Sequence, residues 1–326
     1  MNILDLLKDC SRIGISGHEN PDGDCVGACC GMALFLREMR PEAKVDIYLE
    51  TFAASLERNI PGSDTILHEI PDPCEKYDAF IVLDSDPGRT GKACELFDQA
   101  KIRINIDHHR TNRGGGEFNY IDGNASSASE LVYNVIGRDR LNAQIARALY
   151  VGIVTDTGVF QYSNTGESTM AAAGHLMTFG FDASAIIREV FFERTVVNMR
   201  ALGTALVKAE LIMGGKFQFC MMDRKELASL GARRKDLDGI PEQMLLTEGV
   251  DCAAYIHEDE DGFWRVSFRS REIVDVSRTA SILGGGGHIR AAGATIRTGI
   301  SQAIVLIKAD IEKQLHAGSQ QAAMKG

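Results

Sequence analysis

The sequence predicts an α/β fold, with an N-terminal doubly wound parallel sheet and a smaller C-terminal α+β domain. Three observations predict it. Short apolar, β-branched runs alternate with helix-length segments through the first half of the chain, and strand, crossover, strand at that spacing builds a parallel sheet. Carboxylates and imidazoles follow those runs directly, at the edge where such sheets present ligands. Beyond a helical stretch, strand-like runs restart at Leu211. A chain of 326 residues is long enough for two domains with separate cores. The expected division is 1–192, a linking helix at 193–210, and 211–326.

In chain order, Arg12–Ser16, 44–49, 79–84 and 102–106 read as strands, with helices at 26–39 and 91–99 between them. Helical patterns follow at 126–137, 142–154, 167–179 and 183–192. In the second half, Phe217–Met222, 251–256 and 264–268 read as strands, and the polar tail 318–326 reads as frayed. With 44% hydrophobic and 25% charged residues, the composition is that of an ordinary globular protein. No apolar run approaches the ~20 residues of a membrane span. The start, MNILDLLKDCSR, has no cleavable-signal pattern, which predicts a cytoplasmic protein with no membrane partner. Eight Cys without a CxxC pair predict reduced, mostly buried thiols. A net charge of −10 argues against a long nucleic-acid track, so a polynucleotide partner is expected to be short.

The stretch GHENPDGDCVG, residues 17–27, places His18, Asp22 and Asp24 in a Gly/Pro loop after the first strand. A polar turn with helix-capping Asp residues would explain it equally well. However, Asp84 follows the strand Phe80-Ile81-Val82-Leu83, and Asp107-His108-His109 follow Ile102–Ile106. Asp156 ends the helical segment Gly152-Ile153-Val154-Thr155. Four such groups at one sheet edge would repel one another, which makes divalent cations their natural partner. Mixed His and Asp donors without Cys suit Mn²⁺ or a similar borderline-hard ion.

GHENPDGD, VLDSD, the DHH triplet and TDTG resemble, in order, the four motifs of the DHH phosphoesterase family. GGGGHIRAAGA at 284–294 resembles the signature of the associated DHHA1 domain. Within the family, the length and the RSR…GGGGH arrangement are most similar to the bifunctional oligoribonuclease and pAp phosphatase group. The resemblance implies two divalent metal ions, one held by His18 and Asp22 and the other by Asp24, His108 and Asp156, with Asp84 bridging. Asp107 would orient its histidine neighbours, and His109 would face the substrate phosphate as the catalytic hydrogen-bond or proton donor, with water as nucleophile. The implied substrates are short oligoribonucleotides, cut to mononucleotides, and 3′-phosphoadenosine 5′-phosphate (pAp), cut to AMP, in a cleft between the domains. A cyclic or linear dinucleotide (c-di-AMP or pApA) is the alternative substrate, and a homodimer is compatible with the family. A nucleotide-sensing module without activity is the alternative of a different class; it is disfavoured because every expected ligand position is filled.

The glycine run has two readings, a flexible turn or an anion-binding nest of backbone N–H groups, especially before a helix. Between 264 and 297 six Arg face two acids, Glu272 and Asp275, against the trend of the whole chain. Arg269, Arg271, His288 and Arg290, with Gly285, Gly286 and Gly287, are therefore the candidates for gripping a substrate phosphate. Arg278 and Arg297 read as solvated surface. Val159 follows TDTG where members of the resembling group often carry Arg, which bears on substrate preference. Arg89 could supply a nearby positive charge or a structural ion pair.

Overall fold

The computed structural model describes residues 2–70, 76–259, 261–297 and 299–323. The chain forms two compact units, Met1–Glu193 and Arg194–Gly326.

In the first unit, β1 (Arg12–Ser16), β2 (Lys44–Tyr48), β3 (Ile66–Leu67), β4 (Ala79–Leu83), β5 (Ile102–Asp107) and β6 (Phe118–Ile121) form one sheet, in the order β3-β2-β1-β4-β5-β6. Every pairing is parallel. The helices are α1 (Ile3–Leu7), α2 (Gly23–Met39), α3 (Ala54–Asn59), α4 (Ala93–Gln99), α5 (Ala128–Ile136), α6 (Ala143–Asp156), α7 (Glu167–Met177) and α8 (Ala183–Ile187). The run expected as one helix at 183–192 is two: α8 gives way to a π-type turn at Arg188–Phe192. β4 is apolar throughout because both its faces are covered. Ala79, Ile81 and Leu83 enter the core shared with α2, α5 and α6, while Phe80 and Val82 enter a second layer with Tyr77, Leu96 and Phe97. The strand order reverses between β1 and β4, so the crevice at their carboxyl ends is where a doubly wound sheet binds ligands.

The second unit carries β7 (Glu210–Ile212), β8 (Phe217–Met222), β9 (Cys252–Glu258), β10 (Trp264–Ser270), β11 (Gly286–His288) and β12 (Ala291–Ile296), ordered β11-β12-β10-β9-β8-β7. Only β8 and β9 run parallel. Helices α9 (Val196–Lys208), α10 (Arg224–Leu230) and α11 (Ile240–Leu245) cover one face, and α12 (Val276–Ile282) and α13 (Ile300–Ala323) the other. The stretch expected as a linking helix, α9, buries Ala201 and Ala205 beside Met222 and Tyr255 of this unit. The tail expected to fray from Gly318 instead continues α13 to Ala323, anchored by Ala303, Ile307, Ile311 and Leu315 in the core; residues 324–326 lie outside the described residues.

The glycine run also departs from expectation, since it follows a helix rather than preceding one. Gly284 sits at φ +76 as the chain leaves α12, and the N–H groups of Gly284 and Gly285 donate to Ser281 and Ala280 carbonyls of that helix. Gly286–His288 then pairs with β12. A Cβ on Gly287 would meet the Ala291 carbonyl at 2.6 Å, so bare backbone is required there. The seven described cysteines are all unpaired and mostly buried. Among the described residues no helix is long and apolar enough to cross a membrane.

Candidate active site

The sheet and its helices bring His18, Asp22, Asp24, Asp84, Asp107, His108, His109 and Asp156 to one crevice. His18 leaves β1 by way of Gly17. Asp22 is the N-cap of α2, its carboxylate accepting from the N–H groups of Asp24 and Cys25, so the capping explanation holds for this residue without excluding a second role. Asp84 follows β4, Asp107 ends β5 and Asp156 ends α6. Asp84 divides its oxygens: Oδ2 lies 3.4 Å from His18 Nε2 and Oδ1 3.3 Å from His108 Nε2. Asp22 Oδ1 is 3.8 Å from the same His18 nitrogen. On the other side, Asp24 Oδ2 and Asp156 Oδ2 lie 4.0 and 3.7 Å from His108 Nε2.

This concentration of charge shifts the pKa values across the site. Burial, with repulsion from Asp84 and Asp156, pushes the Asp24 carboxyl well above its ordinary range. Burial also pushes Asp156 up, to about 6, with Asp84 adding to the rise and His108 opposing it. Burial would lower His108, yet Asp84, Asp24 and Asp156 lift it to about 10. His18 is likewise raised against burial, by Asp22 and Asp84. Asp84 is 2% exposed, and its Oδ1 has no aligned hydrogen-bond donor despite the nearby imidazole. A buried carboxylate oxygen without a donor, facing imidazole nitrogens and further carboxylates, is a donor set for divalent cations. The residues present therefore fit divalent metal binding. Asp24 is also fixed in place, its Oδ2 and Oδ1 accepting from the N–H groups of Ala128 and Ser129 at 2.6 and 2.9 Å.

The fold adds partners that the motifs did not show. Cys25 Sγ joins His18 and Asp84 in a group whose ligand atoms lie within 4.8 Å of one another, so a thiol stands beside a donor set expected to lack one. Asp107, fully buried, binds His109 Nδ1 at 2.7 Å through Oδ1, and its Oδ2 accepts from Asn112 Nδ2 at 2.6 Å. Its orienting action thus falls on His109. Burial alone would raise the Asp107 carboxyl, but these bonds hold it below its usual range. The Asp107 hydrogen bond in turn raises His109. Asn112 also reaches Asn105 Oδ1 at 2.9 Å, and Asn164 donates to the Asp156 carbonyl at 3.1 Å. Their only sequence signal was a polar loop after the DHH triplet and another after TDTG. A cavity of about 400 Å³ opens beside His18, Asp84 and His109, and Arg89 lines it with no ion pair among the described residues.

The candidates in the second unit are partly engaged within it. Arg269 Nε donates to Glu242 Oε1 at 2.7 Å and Nη1 to the Phe268 carbonyl at 2.8 Å. Arg271 Nη2 donates to the Leu245 carbonyl at 2.6 Å, and Arg290 reaches the carbonyls of Val274 and Glu272. His288 is exposed on β11. Arg278, read as solvated, lies 3.5 Å from Asp310.

Known proteins resemble this chain in sequence and in fold. Residues 12–153 match the DHH family, N-terminal domain, and residues 214–317 match the DHHA1 domain. A bifunctional oligoribonuclease and PAP phosphatase NrnA of Thermus thermophilus is 30% identical, over 87% of this chain and 84% of the relative. The Bacillus subtilis protein of the same description is 28% identical, over 86% and 87%. Among solved structures, an exopolyphosphatase-related protein from Bacteroides fragilis superposes with a TM-score of 0.87 at 23% identity, covering 95% of this chain and 94% of that one. RecJ of T. thermophilus, solved with Mn²⁺, gives 0.54 at 14% identity, covering 95% of this chain and 53% of RecJ. Identity sustained over most of both chains, two domain matches in the order of the motifs, and a crevice that gathers those motifs all lead to one assignment: the chain belongs to the DHH family of phosphoesterases, and its second unit carries a DHHA1 domain.

Proposed function

We propose that this chain is a metal-dependent phosphoesterase that hydrolyses short oligoribonucleotides to mononucleotides and pAp to AMP. The observation that carries the reading is Asp84, a buried carboxylate whose two oxygens face His18 on one side and His108 on the other. The activities in the names of the T. thermophilus and B. subtilis relatives supply the substrate class. His18 and Asp22 would hold one ion, Asp24, His108 and Asp156 the other, and Asp84 both. When bound, two such ions activate water and neutralise phosphoryl oxygens during in-line displacement; Mn²⁺ suits the His/Asp donors.

The chain's own part is positioning and proton handling. Asp107 fixes His109 through Nδ1, which leaves Nε2 for the phosphoryl oxygen or the leaving alkoxide. The Asp107 hydrogen bond raises the His109 pKa above its ordinary value, which favours the protonated form that a donor requires. Arg89 at the cavity wall attracts a phosphate. Arg269, Arg271, His288, Arg290 and Gly285 to Gly287 would hold a further phosphate or nucleotide end. The reading is tested by incubating the chain and Mn²⁺ with pAp, pApA, c-di-AMP and RNA of graded length. Release of AMP from pAp and of mononucleotides from the shortest RNA is expected. Turnover of c-di-AMP or pApA alone would move the assignment to the dinucleotide substrates, and no turnover of any would leave a sensing module.

A further inference from the structure

Of the three cysteines of α2, Cys25 is the one whose sulfur joins a donor group among the described residues. Cys25, Cys29 and Cys30 are all fully buried in the core of the first unit, and a buried free cysteine ordinarily serves as a small hydrophobe. Cys25 Sγ, however, stands with a His18 ring nitrogen and an Asp84 carboxylate oxygen, all within 4.8 Å of one another. Two local features put it there. Asp22 caps the helix and accepts from the Cys25 N–H at 3.1 Å. Cys25 is thereby the third helical residue, and a helical Cβ leans toward the N-terminus, here toward the crevice. Gly17, where the chain leaves β1, makes room for the sulfur, because a Cβ at that position would stand 2.2 Å from Sγ.

The thiol makes the two sides of the site chemically unlike. On the His108 side the donors are one imidazole and the carboxylates of Asp24 and Asp156. On the His18 side they are imidazole, carboxylate and sulfur, and Asp22 Oδ1, 3.8 Å from His18 Nε2, offers a fourth. Asp84 stands between the two sides, 2% exposed and with no aligned donor on Oδ1. A divalent cation deprotonates a thiol that coordinates it. Sulfur with imidazole then selects Zn²⁺ or Co²⁺ over Mn²⁺, both by softness and by the general order of affinities. Four donors of nitrogen, oxygen and sulfur also suit the tetrahedral preference of Zn²⁺. The cavity lined by His18, Asp22 and Asp84 gives an ion its way in.

We propose that Cys25 is a ligand of the ion held by His18 and Asp84, so that this side takes a thiophilic ion such as Zn²⁺ ahead of Mn²⁺. The Asp24, His108 and Asp156 side keeps the harder ion. The assignment rests on the metal-dependent reading above, and its test reads the sulfur rather than hydrolysis. Co²⁺ is titrated into the reduced full chain after EDTA treatment and desalting, and the thiolate-to-cobalt charge-transfer band is recorded in the near ultraviolet. The band is expected in the wild type and in Cys29→Ala, and its loss in Cys25→Ala and Cys25→Ser. Circular dichroism checks each fold, and the serine variant guards against collapse of the core in the alanine one. Zn²⁺ affinity should fall in both Cys25 variants by at least the roughly 10–100-fold that follows loss of a residue hydrogen-bonded to a metal ligand. Mn²⁺ affinity should change less. A wild type that bound Co²⁺ without the band would overturn the assignment and leave the phosphoesterase reading standing. So would a band that persisted in both Cys25 variants, or a Zn²⁺ affinity unchanged in them. A chain that bound no divalent ion would remove this assignment and the metal-dependent reading together.

Discussion

Asp84 is held at φ +55, a left-handed backbone conformation that costs a non-glycine residue about 1 kcal/mol or more. Its N–H still donates to the Ile106 carbonyl, so the sheet ties down the backbone while the side chain is turned between two imidazoles. Strain at this position is consistent with a carboxylate shared by two ions. Asp84→Ala should abolish hydrolysis, with loss of bound metal measured by elemental analysis; near-normal turnover would sink the dinuclear reading. The neighbouring histidines separate binding from chemistry. His108 faces three carboxylates, whereas His109 is tethered to Asp107 and half exposed on the cavity. His109→Ala should keep its metal and lose roughly 10²–10⁴ in kcat, the usual span for a positioned acid–base group. His108→Ala should lose one metal equivalent, and equal metal loss in both variants would refute this division.

Helix α2 shows what an element must do to bring these residues together. It crosses α6 at Gly27, where a Cβ would come within 2.7 Å of the Ala148 carbonyl and 3.0 Å of the Gly152 amide. Gly27→Ala should therefore destabilise the first unit by about 1–3 kcal/mol, the range for overpacking, read as a lower urea midpoint of the metal-free protein. A strand gives the pH dependence. His257 on β9 titrates lower folded, at about 4, than unfolded, near 6.5. Between those values the unfolded chain binds the extra proton, so its contribution to stability falls as pH drops from about 6.5 toward 4. The urea midpoint of the wild type should follow that slope and His257→Gln should flatten it; parallel curves would show that the imidazole is not buried in its neutral form. The central strands were legible because burial on both faces makes β4 and its neighbours continuous apolar runs, and strand-end carboxylates mark the crevice. β6 escaped notice because it is a sheet edge with Phe118 and Asn119 exposed. β11 escaped because glycine carries no strand signal. The i+4 row of Ala303, Ile307, Ile311 and Leu315 marks the start of α13, while the polar composition near 318 carries no helical signal for its continuation. Asn112 and Cys25 could not be read as site neighbours. Their partners are chosen by loop closure and by the Gly17 packing against Cys25 Sγ, which no spacing encodes.

At the scale of the whole molecule, charge and cavity size set which substrates are favoured. The chain carries a net charge of −10, and the cavity beside the proposed metal ligands measures about 400 Å³, room for about one nucleotide. Each further phosphate of a longer strand must leave that cavity over a surface with an excess of carboxylates, and no extended basic track offsets the repulsion. RNA of roughly two to five nucleotides should therefore be hydrolysed faster than chains several times longer. The salt dependence should be shallow as well. Each phosphate held contributes a log–log slope near −0.7, so a substrate gripped at two or three phosphates gives about −1 to −2 in all. Arg271→Ala or His288→Ala should raise KM for short substrates with kcat little changed, because such contacts hold ground state and transition state alike. Initial rates across an RNA length ladder at two salt concentrations check all three statements. A wild type that degrades long single strands as efficiently as dinucleotides, with a steep salt slope, would contradict them and require a basic path for the strand on this acidic chain. Unchanged kinetics in both variants would remove Arg271 and His288 from the substrate contacts and leave the glycine run as the close-packed corner between α12 and β12.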